Sequence, residues 1–482
     1  MFSASSATVS SSMTTANPRR NRGMARLAAS IVASGLVMAG ALTGAGGAVA
    51  DEAPPHQGGA TATLDGLKTF DTAVLHADGQ NQQLPAGLFE MTVDGGGKFK
   101  TYCIDIHNPT QDQAKYLETP WTQTSLGTNK NAGRIRWILE HSYPKIDDLQ
   151  VLADEAGTGP LTVETAAAGT QVAIWRYSDQ ADVTASDAQA EKLADWLEKS
   201  ATDTAEPKAS LALDPVAVSG HPGERVGPVT VHTNAGQVSV TPPADAASGV
   251  RITDKKGKAV TTAANGSQLW FDVPADAADG SASLTVQATT SVPVGRAFAG
   301  ATKSQTQILA GSSESTVSAS ATATWAGKGA IPAVTAKKNC ARGGVDVTTS
   351  NKGDAAFTYD LAGVEHTVEP GRTETVTVPV AEDQAYDVTV TGPGGFTRTF
   401  KGVLDCLTTG GGNDGLTTQT AEQPTTITAT AGGSTTGAEG NLAETGSSNA
   451  TPMIAGIAIA LVVIGGGSIF LLRRRKDRTE GE

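Results

Sequence analysis

From Pro207 onward the helical period disappears from this sequence, and that loss constrains the fold more than any other feature. Short runs take its place: Val229-Thr230-Val231, Val238-Ser239-Val240, Leu269-Trp270-Phe271, Leu284-Thr285-Val286 and Thr316–Trp325. They alternate apolar with polar and are separated by Gly, Pro and Asp, so residues 210–328 are expected to form an all-β sandwich. A second β unit is expected over 336–407, with strands around Val345–Val347, Phe357–Tyr359, Thr375–Val378, Asp387–Val390 and Phe396–Phe400. Aromatics at 5 % and 55 glycines in 482 residues suit short strands and turns better than a large α/β enzyme core. Residues 51–445 hold 27 basic and 46 acidic side chains. A body that acidic repels phosphate backbones, which excludes nucleic acid as an expected partner. No CxxC, HExxH, Gly-rich phosphate loop or acidic calcium loop occurs, so no metal and no cofactor is expected.

Residues 67–205 read differently. Leu88–Val93 and Phe99–Ile106 flank Asp94-Gly95-Gly96-Gly97, a hairpin signal in which glycine supplies positive φ. Helices are expected over Asn131–His141, Thr162–Tyr177 and Ser186–Lys199, the last with a capping box of Ser186 and Gln189. Residues 51–66 look like a flexible leader, and the Thr/Gly-rich stretch 408–441 like a disordered stalk. The expected class is therefore multidomain: a mixed α+β domain, two immunoglobulin-like β sandwiches, the stalk and a C-terminal transmembrane helix.

The two ends carry addressing signals. Residues 19–26 are basic, Leu27–Val49 is apolar, and Ala48-Val49-Ala50 precedes Asp51. This is the order of a secretory signal peptide over 1–50, with cleavage between Ala50 and Asp51. Met24 is an alternative start. At the other end, Met453–Leu472 is 20 residues without a charge, about 30 Å as a helix, followed by a basic tail over 473–482. The positive-inside rule leaves that tail in the cytoplasm and the preceding chain outside. Leu442-Ala443-Glu444-Thr445-Gly446 stands just before the apolar span. The array of pentapeptide, span and basic tail resembles the LAxTG sortase sorting signal. The resemblance implies cleavage between Thr445 and Gly446 and transfer of Thr445 to peptidoglycan. A sortase and peptidoglycan are the partners this implies, and a cell-wall-anchored protein the destination.

Three cysteines divide as two plus one. Cys340 and Cys406 bracket the second β unit and are expected to pair as a disulfide outside the cell. Closing that loop contributes about 4 kcal/mol in the chain-entropy model. Cys103 is left over. It fits a buried thiol, an intermolecular pairing, or a nucleophile served by His107 or His141. A further reading comes from Thr170-Gln171-Val172-Ala173, which continues into Ile174-Trp175. With Tyr102-Cys103-Ile104, this TQxA segment resembles the thioester domains of Gram-positive surface adhesins, in particular actinobacterial members with an LAxTG tail.

That resemblance implies that the Cys103 thiol and the Gln171 carboxamide condense to an internal thioester with loss of ammonia. A target amine then attacks the Gln171 carbonyl carbon, expels the Cys103 thiolate and leaves an isopeptide bond. Each molecule reacts once, so the expected protein is an adhesin and not a turnover enzyme; its amine-bearing target is not specified. Condensation needs both groups held rigidly, since a free thiol does not displace ammonia from an amide in water. Asp105, Thr170 and His107 are candidates for promoting it. Two other readings stay open: an inert wall protein with a buried Cys103, and a secreted cysteine hydrolase using Cys103 with His107 or His141.

Overall fold

The computed structural model describes residues 58–77, 79–243 and 249–408. The signal peptide with its Ala50–Asp51 junction, most of the stalk, the LAETG motif, the span 453–472 and the tail lie outside the described residues. Among the described residues, no helix is long and apolar enough to cross a membrane. The described chain is mostly β, with four α-helices, all in its first part.

The first part runs β1 Thr61–Ala77, β2 Gln80–Val93, β3 Lys98–Cys103, β4 Lys115–Thr119, α1 Ala132–Glu140, α2 Leu149–Ala156, α3 Val163–Ser178, β5 Val183–Ala185 and α4 Ala188–Ser200. The expected leader is corrected here for residues 58–66. They are ordered because Ala60, Ala62 and Leu64 bury alternate side chains, and β1 pairs with β2 and β4 from Thr61 on. The expected β2–β3 hairpin forms, with Thr92 opposite Lys98. Gly96 and Gly97 take positive φ. Gly95 is needed for another reason: a Cβ there would sit 2.0 Å from the Thr316 carbonyl oxygen. The three expected helices form. The cap of α4 is Asp187, whose carboxylate accepts from the Gln189 and Ala190 amides, and not Ser186. Helix α2 was not expected.

The second part runs β6 Leu211–Asp214, β7 Ala217–Gly220, β8 Arg225–Thr233, β9 Val238–Thr241, β10 Arg251–Thr253, β11 Thr262–Ala263, β12 Gln268–Asp272, β13 Gly280–Ser291, β14 Ala297–Gly300, β15 Gln307–Ser312 and β16 Glu314–Trp325. A four-stranded sheet, β10-β12-β8-β6, and a five-stranded sheet, β11-β9-β13-β16-β7, share one core through their alternating buried residues. Two strands of this part go elsewhere. β14 pairs with β4 and β15 pairs with β3, so residues 297–312 belong to the first sheet. The boundary expected between 67–205 and 210–328 is therefore crossed by the chain.

The reason is edge closure. Without β14 and β15, strands β3 and β4 would each present a bare edge. With them, β1, β2, β3, β15, β14 and β4 form a closed antiparallel ring, because β1 also pairs with β2. An Arg296–Glu118 ion pair at 2.8 Å holds the hairpin's base, with only 4 % and 1 % of the two side chains exposed.

The third part runs β17 Pro332–Asn339, β18 Gly344–Asn351, β19 Phe357–Leu361, β20 Val364–Val368, β21 Thr373–Pro379, β22 Ala385–Thr391 and β23 Thr397–Val403. Sheets β17-β18-β21 and β20-β19-β22-β23 enclose Val345, Val347, Phe357, Tyr359 and Val390. A Cys340–Cys406 disulfide joins the residue after β17 to the segment after β23.

Candidate functional site

Cys103 ends β3, and Gln171 lies in the middle of α3; both are fully buried. Helix α3 starts at a capping box of Thr162 and Thr165. Its run Ala166–Trp175 is buried on every side, which its small residues permit. Gly169 lets α4 come close: a Cβ there would lie 2.5 Å from the Ala190 carbonyl oxygen. That fit places Gln171 against the end of β3. The Gln171 carboxamide accepts from the Cys103 amide at 3.0 Å and donates to the Cys103 carbonyl at 2.8 Å. Two paired bonds fix the plane of the carboxamide over the residue that carries the thiol.

The sulfur lies in a tight turn. It accepts from the Asp105 amide at 3.2 Å and approaches the Asp105 carbonyl at 3.1 Å. Burial pushes the thiol's pKa well up, and the Asp179 and Asp105 carboxyls add to the rise. The indole N–H of Trp175, which has no ordinary hydrogen-bond partner, acts on the sulfur in the opposite direction. Tyr102 and Ile104, beside the thiol, and Ile174 are fully buried, so the site is dry.

The candidate promoters separate. Asp105 is buried, accepts from the His107 amide and from Asn108 Nδ2 at 2.6 Å, and is driven well above the carboxylate range, by burial first and then by Asp405 and Asp179. Thr170 spends its hydroxyl on the Ala166 carbonyl one turn back, at 2.8 Å. His107 is half-buried and its pKa is lowered by desolvation. His141 stacks on Trp137 and bonds its carbonyl.

Residues that sequence reasoning missed complete the site. Gln307 pairs with Cys103 across β3 and β15, and the Ile104 amide donates to the Thr306 carbonyl. Gln305 donates to the Asp105 and Asn108 carbonyls. Asp179 accepts from the Ile106 amide at 3.0 Å and from Ser178. Asp405, one residue before the disulfide, accepts from Thr306 at 2.6 Å. Trp175 and Asp179 follow Gln171 by about one and two helical turns, a spacing that could have flagged them. Asp405 and the 305–307 segment have no local signal.

Among the described residues, Glu382, Asp383 and Asp405 form the one grouping of ligand-type side chains tight enough for a metal ion. The Cys406 and Leu407 amides, Asn108, Lys303 and Thr306 already occupy these carboxylates, so no metal is assigned there.

Residues 100–203 match the family model of the thioester domain. The matched segment covers Cys103, Gln171 and Asp179 but stops short of the 305–307 and 405 contributions. Residues 332–403 match the model of the bacterial phospholipase C C-terminal domain. No curated protein matches the chain. Among solved structures, the Bacillus anthracis TIE protein aligns at 14 % identity and a TM-score of 0.26, covering 72 % of this chain and 81 % of its own. The thioester domain of the Enterococcus faecium TIE86 protein aligns at 16 % and 0.27, covering 55 % and 96 %. The CsuC–CsuE pre-assembly complex from Csu pili of Acinetobacter baumannii aligns at 10 % and 0.15, covering 40 % and 98 %. Identities and scores this low transfer neither fold nor function.

Proposed function

We propose that this chain is a surface adhesin whose Cys103 and Gln171 condense to an internal thioester and capture a target amine once. The observation that carries the reading is the Gln171 carboxamide clamped by two hydrogen bonds onto the backbone of Cys103, inside the segment that matches the thioester domain. Fixing the two groups makes condensation intramolecular, which is worth several kcal/mol of the barrier (about 7 or more when orientation is ideal). The dry surroundings protect the acyl bond from water. Amine attack forms a Cδ–N bond and breaks the Cδ–Sγ bond, with thiolate as a better leaving group than ammonia.

The TQxA subtype, the secretory leader, the LAETG signal and attachment of Thr445 to peptidoglycan by a sortase belong to the same proposal. So does the reading of the two downstream β units as immunoglobulin-like spacers. Wall anchoring and covalent capture make sense together, because a tether is as strong as its weakest link. A cysteine hydrolase is disfavoured: a hydrolytic thiol is exposed and lowered in pKa, and Cys103 is buried and raised.

The test is the intact mass of residues 51–445, with and without methylamine. The expected mass is short by one ammonia, beyond the two hydrogens of the disulfide. Methylamine should then add one molecule, and Cys103→Ala or Gln171→Ala should abolish both effects. A full mass with an unreactive buried thiol would replace this proposal with the inert wall protein.

A further inference from the structure

Three carboxyl groups from three separate parts of the chain converge on the loop that follows Cys103. Asp105 follows β3, Asp179 caps α3, and Asp405 arrives on the segment after β23. All three are buried, and among the described residues none has an ion pair within salt-bridge distance. They are tied to one short loop. Asp105 itself lies in residues 104–108, Asp179 accepts from the Ile106 amide, and Asp405 accepts from Thr306, whose carbonyl takes the Ile104 amide. Beyond them, Thr408 donates to the Ser178 carbonyl, which seats the end of the last unit against the C-terminus of α3.

We propose that Asp105, Asp179 and Asp405 act as one proton-holding cluster for the Cys103–Gln171 chemistry, and that Asp405 is a positioning residue which the last unit contributes to it. This rests on the thioester reading above and deepens it. Both steps of that chemistry move one proton between sulfur and nitrogen. In condensation Sγ bonds to Cδ, the Cδ–Nε2 bond breaks, and ammonia leaves carrying the thiol proton. In capture the amine nitrogen bonds to Cδ, Sγ departs, and one amine proton ends on sulfur. Asp105 meets Sγ through its backbone amide and carbonyl, so the cluster bears on that proton by setting the charge beside the loop that holds Sγ, and no redox partner is needed.

Asn108 Nδ2 donates to Asp105 at 2.6 Å and to Asp383 at 3.2 Å, and the Asp383 and Asp405 carboxylates lie within 4.8 Å of each other, so like charges gathered this closely and away from water cannot all ionise. Burial is the first cause of the raised pKa of Asp105, Asp179 and Asp405, and each also feels another member of the cluster or a neighbouring acid. The cluster therefore keeps protons at a pH where an exposed aspartate has none. Other charged or titratable groups face it from every side. Lys338 on β17 faces Asp405, as do Glu382 and Asp383 before β22. Lys303 reaches Asp383 at 3.6 Å, and Tyr116 on β4 feels Cys103, Asp405 and Asp105. His107 stands half-buried on the loop itself. Of the cations, Lys338 is the one that acts on Asp405 directly, and it makes Asp405 easier to ionise.

The experiment is the methylamine reaction rate of residues 51–445 across pH 5 to 9, normalised to free amine, for the wild type, Asp405→Asn and Lys338→Met. Asp405→Asn keeps an acceptor for Thr306 and removes a charge. Its pH midpoint should move down by about one unit, because the remaining acids lose a like-charged neighbour. Lys338→Met removes the facing cation, and its midpoint should move up. Opposite shifts are not produced by packing damage, which changes the rate at every pH alike. Midpoints that coincide with the wild type, or move together, overturn the cluster while a methylamine-reactive wild type leaves the thioester standing. A wild type with no mass deficit and no methylamine uptake overturns both. If Asp405→Asn does not fold, an unmoved Lys338→Met midpoint still overturns the inference.

Discussion

Replacing Arg296 by methionine tests how the second part of the chain is clasped to the first. The Arg296 guanidinium donates to Glu118 at 2.8 Å and to Glu206 at 2.6 Å, and also to the Pro207 carbonyl. The Glu118 side chain is 1 % exposed, on β4 next to the β14–β15 hairpin. Arg296→Met keeps the apolar stem and strands the carboxylate. Breaking one side of a buried pair costs about 3–5 kcal/mol. Glu118 retains the Ala60 and Ser210 amides and the Ser210 hydroxyl, which argues for the lower end of that range. The expected loss is therefore about 3 kcal/mol, roughly a hundredfold in the unfolding equilibrium of this part. Denaturant unfolding, followed through the buried Trp121 and Trp175, would read it. The double variant Arg296→Met with Glu118→Gln should recover most of the loss, since no buried charge is left unpaired. A loss below about 1 kcal/mol, or a double variant worse than the single, would refute the reasoning.

Two further outcomes follow from the same geometry. Gly169→Ala should lower Tm: its Cβ would meet the Ala190 carbonyl at 2.5 Å, and overpacking of about 1–3 kcal/mol outweighs alanine's helix preference of about 1 kcal/mol. An unchanged or raised Tm contradicts the close fit of α3 and α4. Asp179 is pushed up to about 7 by burial, so the folded chain holds its proton more tightly than the unfolded one. Its contribution is full below the ordinary aspartate pKa and is lost as pH rises through about 7. Asp179→Asn should therefore gain on the wild type in thermal melts from pH 5 to pH 8; parallel Tm curves would remove Asp179 from the proton balance.

Much of the local structure was legible because periodicity reports it directly. The hairpin around Asp94–Gly97, the helices near 131–141, 162–177 and 186–199, and the short strands after Pro207 all reflect spacing between neighbours in sequence. The misses share a cause. β1 begins at Thr61, inside what reads as a leader, because its small residues become ordered only through β2 and β4. β14 and β15 look like any other strands of their unit, and nothing local says which sheet they join. Asp187 competes with Ser186 for the cap of α4 one residue apart, a margin that pattern alone does not resolve.

The sequence by itself determined which residues could do the chemistry. A lone cysteine after Tyr102 and a glutamine in TQVA supply the two groups of the proposed chemistry, since side-chain type and local motif are properties of the chain before it folds. What only the tertiary structure decided is the environment of those groups. The Gln171 carboxamide meets the Cys103 backbone across 68 residues, the sheet that carries Cys103 closes through residues 297–312, and Asp405 reaches Thr306 across 99 residues. Burial and charge proximity set the proton balance there. Both are sums over atoms distant in sequence, so no window along the chain contains them.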